Sequence, residues 1–276
     1  MIEKYFVKVG SLKYNLAFFW TNFVISFKAS IEYKVNFYMT LLNGLAFIPT
    51  LLLFGYVLYS VILNQFSWTI VEYVLFIFLI DLYMDITGYF HAGKSLENLI
   101  KSGDLNMYLT KPTNPFISYA FAKSFNTALF ILITIMSYSI ILLILDFRTT
   151  VLDLLLGVFL FIVLCLIGAL FYQFLISFTW FILESDFFFR DLKWRIEYEV
   201  LGRYPALFFE KWNFLFLIMI FPSYYISSWL ISIISFSQVS IEYFEIIILV
   251  SITFISILGI IINWKYGLKR YEAFGG

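Results

Sequence analysis

An all-α polytopic membrane protein is the fold class this sequence predicts, on three observations. Hydrophobic residues make up 62% of the chain and charged residues 13%, against about 45–50% and about 25% in soluble domains. The apolar residues lie in long unbroken runs rather than in the dyad alternation of a transmembrane barrel. The 18 basic residues balance the 18 acidic ones, so no net field recruits a polyanion, and a nucleic-acid partner is not expected. The composition also excludes a soluble enzyme and a disordered chain. The 276 residues read as one transmembrane domain: an interfacial segment over 1–34, six spans within 35–264 and a tail over 265–276.

A span needs about 20 apolar residues. Six stretches supply them: 35–62, 70–90, 116–147, 151–182, 212–234 and 243–264. The first eight residues lack the apolar core of a cleavable signal, so the first span is expected to be an uncleaved anchor. Before it, Leu12, Leu16, Phe19, Phe23 and Phe27 recur at helical spacing, with Ser11, Asn15, Asn22 and Ser26 on another face. That pattern suits an amphipathic helix lying in the membrane interface. Basic residues orient the spans. With both termini in the cytoplasm, 17 of the 18 Lys and Arg fall inside and only Arg148 falls outside.

Two inner connections are long and patterned. Between the second and third spans, Leu96, Leu99 and Ile100 share one helical face, and Leu105, Tyr108 and Leu109 repeat the spacing. Ser95 and Asp104 can act as N-caps, Gly103 can end the first turn set and Pro112 stops the second. These short amphipathic helices have no soluble core of their own, so their apolar side is expected on the lipid surface or in a groove of a soluble partner. Between the fourth and fifth spans, Arg190 and Asp191 read either as an interfacial ion pair or as part of a partner contact.

Chemistry-bearing patterns are sparse. The stretch from Gly88 to Ser95 matches the phosphate-loop pattern literally, but the run before it is a span and not a β-strand, and no nucleotide site is expected there. The lone Cys165 and lone His91 make neither a disulfide nor a multi-histidine metal site. Asp81 and Asp85 sit one turn apart in the second span. Carboxylates there face the protein interior or water, as structural hydrogen-bond partners of nearby Tyr or Lys, or as the lining of a translocation path.

The order of these elements resembles the membrane subunits of ABC-2 type transporters. The run from Ile100 through Lys111-Pro112-Thr113-Asn114-Pro115 is similar to a stretch of that family ending in Leu-x-(Arg/Lys)-Pro-x-x-Pro. Gly202-Arg203-Tyr204-Pro205 resembles the segment leading into its fifth span, and the ending from Gly267 resembles its DUF990-like branch. The resemblance implies the permease subunit of an ATP-driven exporter in the cell membrane, working as a homodimer or heterodimer. The cargo would be a peptide, drug or lipid-like amphiphile. It implies separate cytoplasmic ATP-binding-cassette subunits that hold the ATP and Mg²⁺, so this chain carries no catalytic site and no cofactor. It makes 96–109 the coupling helix, with Leu96, Leu99, Ile100, Leu105, Tyr108 and Leu109 contacting the ATPase; Arg190 and Asp191 are candidates for the same contact, and Asp81 and Asp85 are candidates for lining the pathway. The family often has short re-entrant helices between its last two spans. Phe221-Pro222 marks a bend there, although the outer connection at 235–242 is short. The competing classes are a lipid-modifying membrane enzyme, which needs convergent His, Asp or Glu groups, and a non-transporting immunity or receptor protein.

Overall fold

The computed structural model describes residues 68–89, 95–110, 114–120, 127–147, 149–209, 215–236 and 241–271, with scattered helical positions between Ala17 and Ser60. The expected interfacial helix and first span lie largely outside the described residues. Ten helices order the remainder: α1 (Ile70–Tyr89), α2 (Leu96–Ser102), α3 (Asn106–Leu109), α4 (Pro115–Ala120), α5 (Thr127–Ile144), α6 (Val151–Ser177), α7 (Ser185–Lys193), α8 (Leu215–Ile218), α9 (Ile231–Phe236) and α10 (Tyr243–Arg270). No strand occurs among the described residues.

The long helices follow the apolar runs. Val151–Trp180 and Tyr243–Arg270 are each long and apolar enough to cross a hydrocarbon core unaided. Thr150 starts α6 by accepting from the Asp153 amide, and a capping box of Glu242 and Glu245 starts α10. Helix α1 carries Glu72, Asp81 and Asp85 within its 20 residues. It is a packed central helix, with Tyr73, Phe76, Ile80 and Tyr83 almost wholly buried.

Side-chain pairs fix the directions. Asp81 meets Tyr138 and Asp85 meets Thr134, so α5 runs antiparallel to α1. The Tyr83 hydroxyl fills the space a Cβ would take at Gly168. Leu75 and Leu154 line one cavity further toward the helix starts, so α6 runs parallel to α1. Phe174 lies against Gly259, Ser177 against Asn263 and Trp180 against Gly267, so α10 runs parallel to both. Parallel neighbours require a return passage between them: α5 makes one, and the chain between α6 and α10 makes the other.

That second passage differs from the sequence expectation. A single span over 212–234 is not what forms. Helix α8 ends at Ile218, and turns at Phe221, Tyr224, Tyr225 and Ile226 reverse the chain through Pro222, which has no N–H to continue a helix. The Tyr225 hydroxyl closes the tip onto the Met219 carbonyl at 2.9 Å. A π-helical turn, Ile226–Leu230, then leads into α9, which packs Ile234 on Gly157 near the start of α6.

The segment expected as a cytoplasmic connection climbs instead. Helix α7 folds back along α6, with the Phe189 ring 6.1 Å from that of Phe178 and tilted 43° to it. It continues as a π-helix over Trp194–Val200. Lys193 then reaches Thr87, Glu197 reaches Tyr83, Gly202 packs on Ile80 and the Arg203 carbonyl accepts from Tyr73. Arg203 therefore stands beside the first turn of α1, not beside its last. The sequence reading groups Arg203 with the basic residues near the other end of α1, whereas the fold places it beside Tyr73. Tyr83 of α1 bonds Glu197, and Thr87 of α1 with the Tyr172 ring of α6 receives Lys193.

Candidate functional site

Two sites lie along this frame, one at the base and one inside. At the base, Ser95 Oγ accepts from the Asn98 amide at 3.1 Å and starts α2. Gly103 ends it in the left-handed region at φ 75°, where a side chain would be strained. Its N–H donates to the Ile100 carbonyl. The chain turns there into α3.

The apolar side of α2 and α3 is covered by this chain itself. Leu96, Leu99 and Leu105 are fully buried and Tyr108 nearly so, in one cluster with Tyr119, Tyr172, Ile176, Ile260, Trp264 and Leu268. Ile100 and Leu109 pack at its edge. Trp264 anchors the cluster, its ring 5.5 Å from Phe116, 5.7 Å from Tyr119 and 5.3 Å from Trp180. The Tyr271 hydroxyl ties the end of α10 to the Gly103 carbonyl at 3.2 Å. Of the six side chains expected to dock on a second protein, Leu96, Leu99, Leu105 and Tyr108 are thus taken up by packing within this chain, and Ile100 and Leu109 stay partly exposed. The ends of α6 and α10 supply the receiving surface that the connection lacks. What α2 and α3 expose is the opposite side: Asn98, Lys101, Ser102, Asn106 and Met107. There Lys101 bonds Glu97, which raises the ammonium above its ordinary value.

A groove of about 930 Å³ runs between α2 and α7, lined by Ser95, Glu97, Asn98, Phe188 and Arg190 among others. Arg190 and Asp191 are not a pair. Arg190 Nε lies 2.7 Å from buried Asp186, and Asp191 lies 2.7 Å from Arg195. Helix geometry explains the correction, since partners four apart face each other and adjacent residues do not.

Inside, α5 satisfies the α1 carboxylates. Tyr138 donates to Asp81 at 2.7 Å and Thr134 donates to Asp85 at 3.0 Å. Between α1, α6 and the π-helix, Lys193 Nζ donates to Thr87 Oγ1 at 2.8 Å and lies 4.5 Å from the centre of the Tyr172 ring. Its ion-pair distance to Glu197 is 4.0 Å, and Glu197 accepts from the Tyr83 hydroxyl at 3.1 Å. Buried charges persist only when partnered in this way. The sequence reading does not find this pair. The available signal is the spacing of Lys193 and Glu197, four apart and flanked by the aromatic pair Trp194 and Tyr198. Cys165 is buried beside them.

Comparison with curated proteins and with solved structures found no match. The profile of the family described as ABC-2 family transporter protein matches residues 45–275. That match covers most of the sequence, and the chain belongs to the ABC-2 family of transporter proteins.

Proposed function

We propose that the chain is the permease subunit of an ATP-driven exporter. It spans the cell membrane several times with both termini inside, pairs with a second permease copy, and leaves ATP hydrolysis to cytoplasmic cassette subunits. The cargo is a peptide, drug or lipid-like amphiphile. The family match supports the transport role. The observation that carries the mechanism is the clamp of α2 and α3 on the ends of α6 and α10. A force applied to their polar side passes directly into two long helices, because a close-packed interior transmits displacement. In this reading α7 and its π-helical continuation form the fifth span. The stretch from α8 to α9 is a hairpin that enters from the outer side and returns there, supported by the turn at Pro222 and by Ile234 reaching the start of α6.

Expression with the cassette ATPase tests the reading. The ATPase is expected to co-purify with this chain, and its hydrolysis rate to change when the permease is present. A chain that retains no ATPase under conditions preserving its fold contradicts the proposal.

A further inference from the structure

The face that the fifth rising segment turns away from α1 and α6 is charged in a regular line. Phe187, Asp191, Arg195 and Glu199 recur every four residues, and all four are exposed. Lys193, Glu197 and Tyr198 occupy the opposite, buried side. Asp191 and Arg195 pair at 2.7 Å while remaining 47% and 66% exposed. Trp194, half exposed, stands beside the line with its ring 4.4 Å from that of Tyr198.

The height of this line along the fold is set by its buried neighbours. Glu199 lies between Glu197, which bonds Tyr83, and Gly202, which packs on Ile80. Tyr83 is thirteen residues into α1, roughly 20 Å from its start and roughly 9 Å from its end at 1.5 Å per residue. If α1 spans the membrane, Arg195 and Glu199 sit within the hydrocarbon thickness. Lipid cannot solvate an exposed charge there, so in the paired permease the face turns to the enclosed interior between the copies or to water, not to lipid. The line holds two carboxylates to one guanidinium, has an aromatic ring alongside for a cation, and ends below in apolar Phe187.

We infer that Phe187, Asp191, Trp194, Arg195 and Glu199 form a binding face on the pathway, selective for amphiphiles bearing a positive charge. This rests on the permease reading above and narrows its cargo. The cationic group meets Asp191 and Glu199 in competition with Arg195, and the apolar part lies on Trp194 and Phe187.

Tetraphenylphosphonium and tetraphenylborate are matched in shape and opposite in charge, and so isolate the electrostatic choice. Their equilibrium binding is measured on the full chain in lipid nanodiscs, with empty nanodiscs subtracted. The parent is expected to prefer the cation by roughly tenfold, the size of effect that a single interaction with a charged group supplies. The double variant Asp191→Asn, Glu199→Gln leaves Arg195 in place and is expected to reverse the preference. Arg195→Gln removes the competitor and is expected to strengthen cation binding. Equal binding of both ions by the parent, or an unchanged preference in either variant, overturns the inference. Co-purification of the ATPase reports separately on the permease reading. An ATPase-bound chain without charge preference loses only the binding face, whereas a preference without any ATPase leaves the face but removes its transport role.

Discussion

The base cluster and the polar interior solve the same packing problem with opposite materials. Around Trp264 the contacts are Leu, Ile and aromatic rings, and the alternative environment of α2 and α3 is water. Burial there is favourable without directional bonds. Around Lys193 and Glu197 the contacts are hydroxyl groups and one ion pair, and the alternative environment is lipid. Burial there is tolerable only because each charge has a partner. Substitutions should therefore fail differently. The interior should respond to loss of a partner and the base to loss of volume.

The largest expected effect is in the interior. Glu197→Ala leaves buried Lys193 with Thr87 and the Tyr172 ring but no counter-charge and removes the Tyr83 acceptor, costing about 3–5 kcal/mol by analogy with other broken buried pairs. The double change Lys193→Met, Glu197→Leu should restore much of this, read as thermal stability in detergent. Failure of the double change to recover would show that the pair has a role beyond neutralising itself. At the base, Leu99→Ala should cost about 2–5 kcal/mol, while a volume-conserving Leu99→Met should cost under about 1.5 kcal/mol. Tyr138→Phe is smaller. It removes the donor to Asp81, worth about 1–3 kcal/mol for a buried carboxylate left short of a bond, and should melt earlier than the parent but later than Glu197→Ala. Smallest of all, Lys101→Gln on the exposed side of α2 should leave the melting temperature unchanged, and a measurable drop would indicate that this side is packed after all.

The helical class and the extents of α1, α6 and α10 are legible in the sequence, because continuous apolar runs and caps such as Thr150 and Glu242 are local signals. The pairing of Asp81 and Asp85 with hydroxyls is half legible: a Tyr or Lys partner is expected, and Tyr138 and Thr134 serve. The fifth passage is not legible, for a physical reason. Charge ordinarily marks the water side, yet Lys193 and Glu197 neutralise one another four residues apart, and the Arg203 carbonyl accepts from Tyr73 of α1. Hydropathy averages over a window and cannot see such a pair. In the opposite sense, the run from Trp212 to Ile234 has the hydropathy of a span, and only Pro222 betrays the turn. The leucines of α2 and α3 are recognisable as a face, but beyond Phe116 and Tyr119 of nearby α4 the receiving surface comes from α6 and α10, more than sixty residues away in sequence, which no local pattern reports.

Thiol labelling most directly tests which side of the paired short helices meets the ATPase. Cys165 is the only native cysteine and is buried, so a new thiol reads out on a quiet background. Leu99→Cys and Met107→Cys are each labelled with a membrane-impermeant maleimide from the cytoplasmic side, with and without the ATPase. The account predicts that Met107→Cys labels readily in the isolated chain and is protected in the complex, while Leu99→Cys stays unlabelled in both. Ready labelling of Leu99→Cys in the isolated chain, abolished by the ATPase, would put the leucine face at the partner and contradict the account.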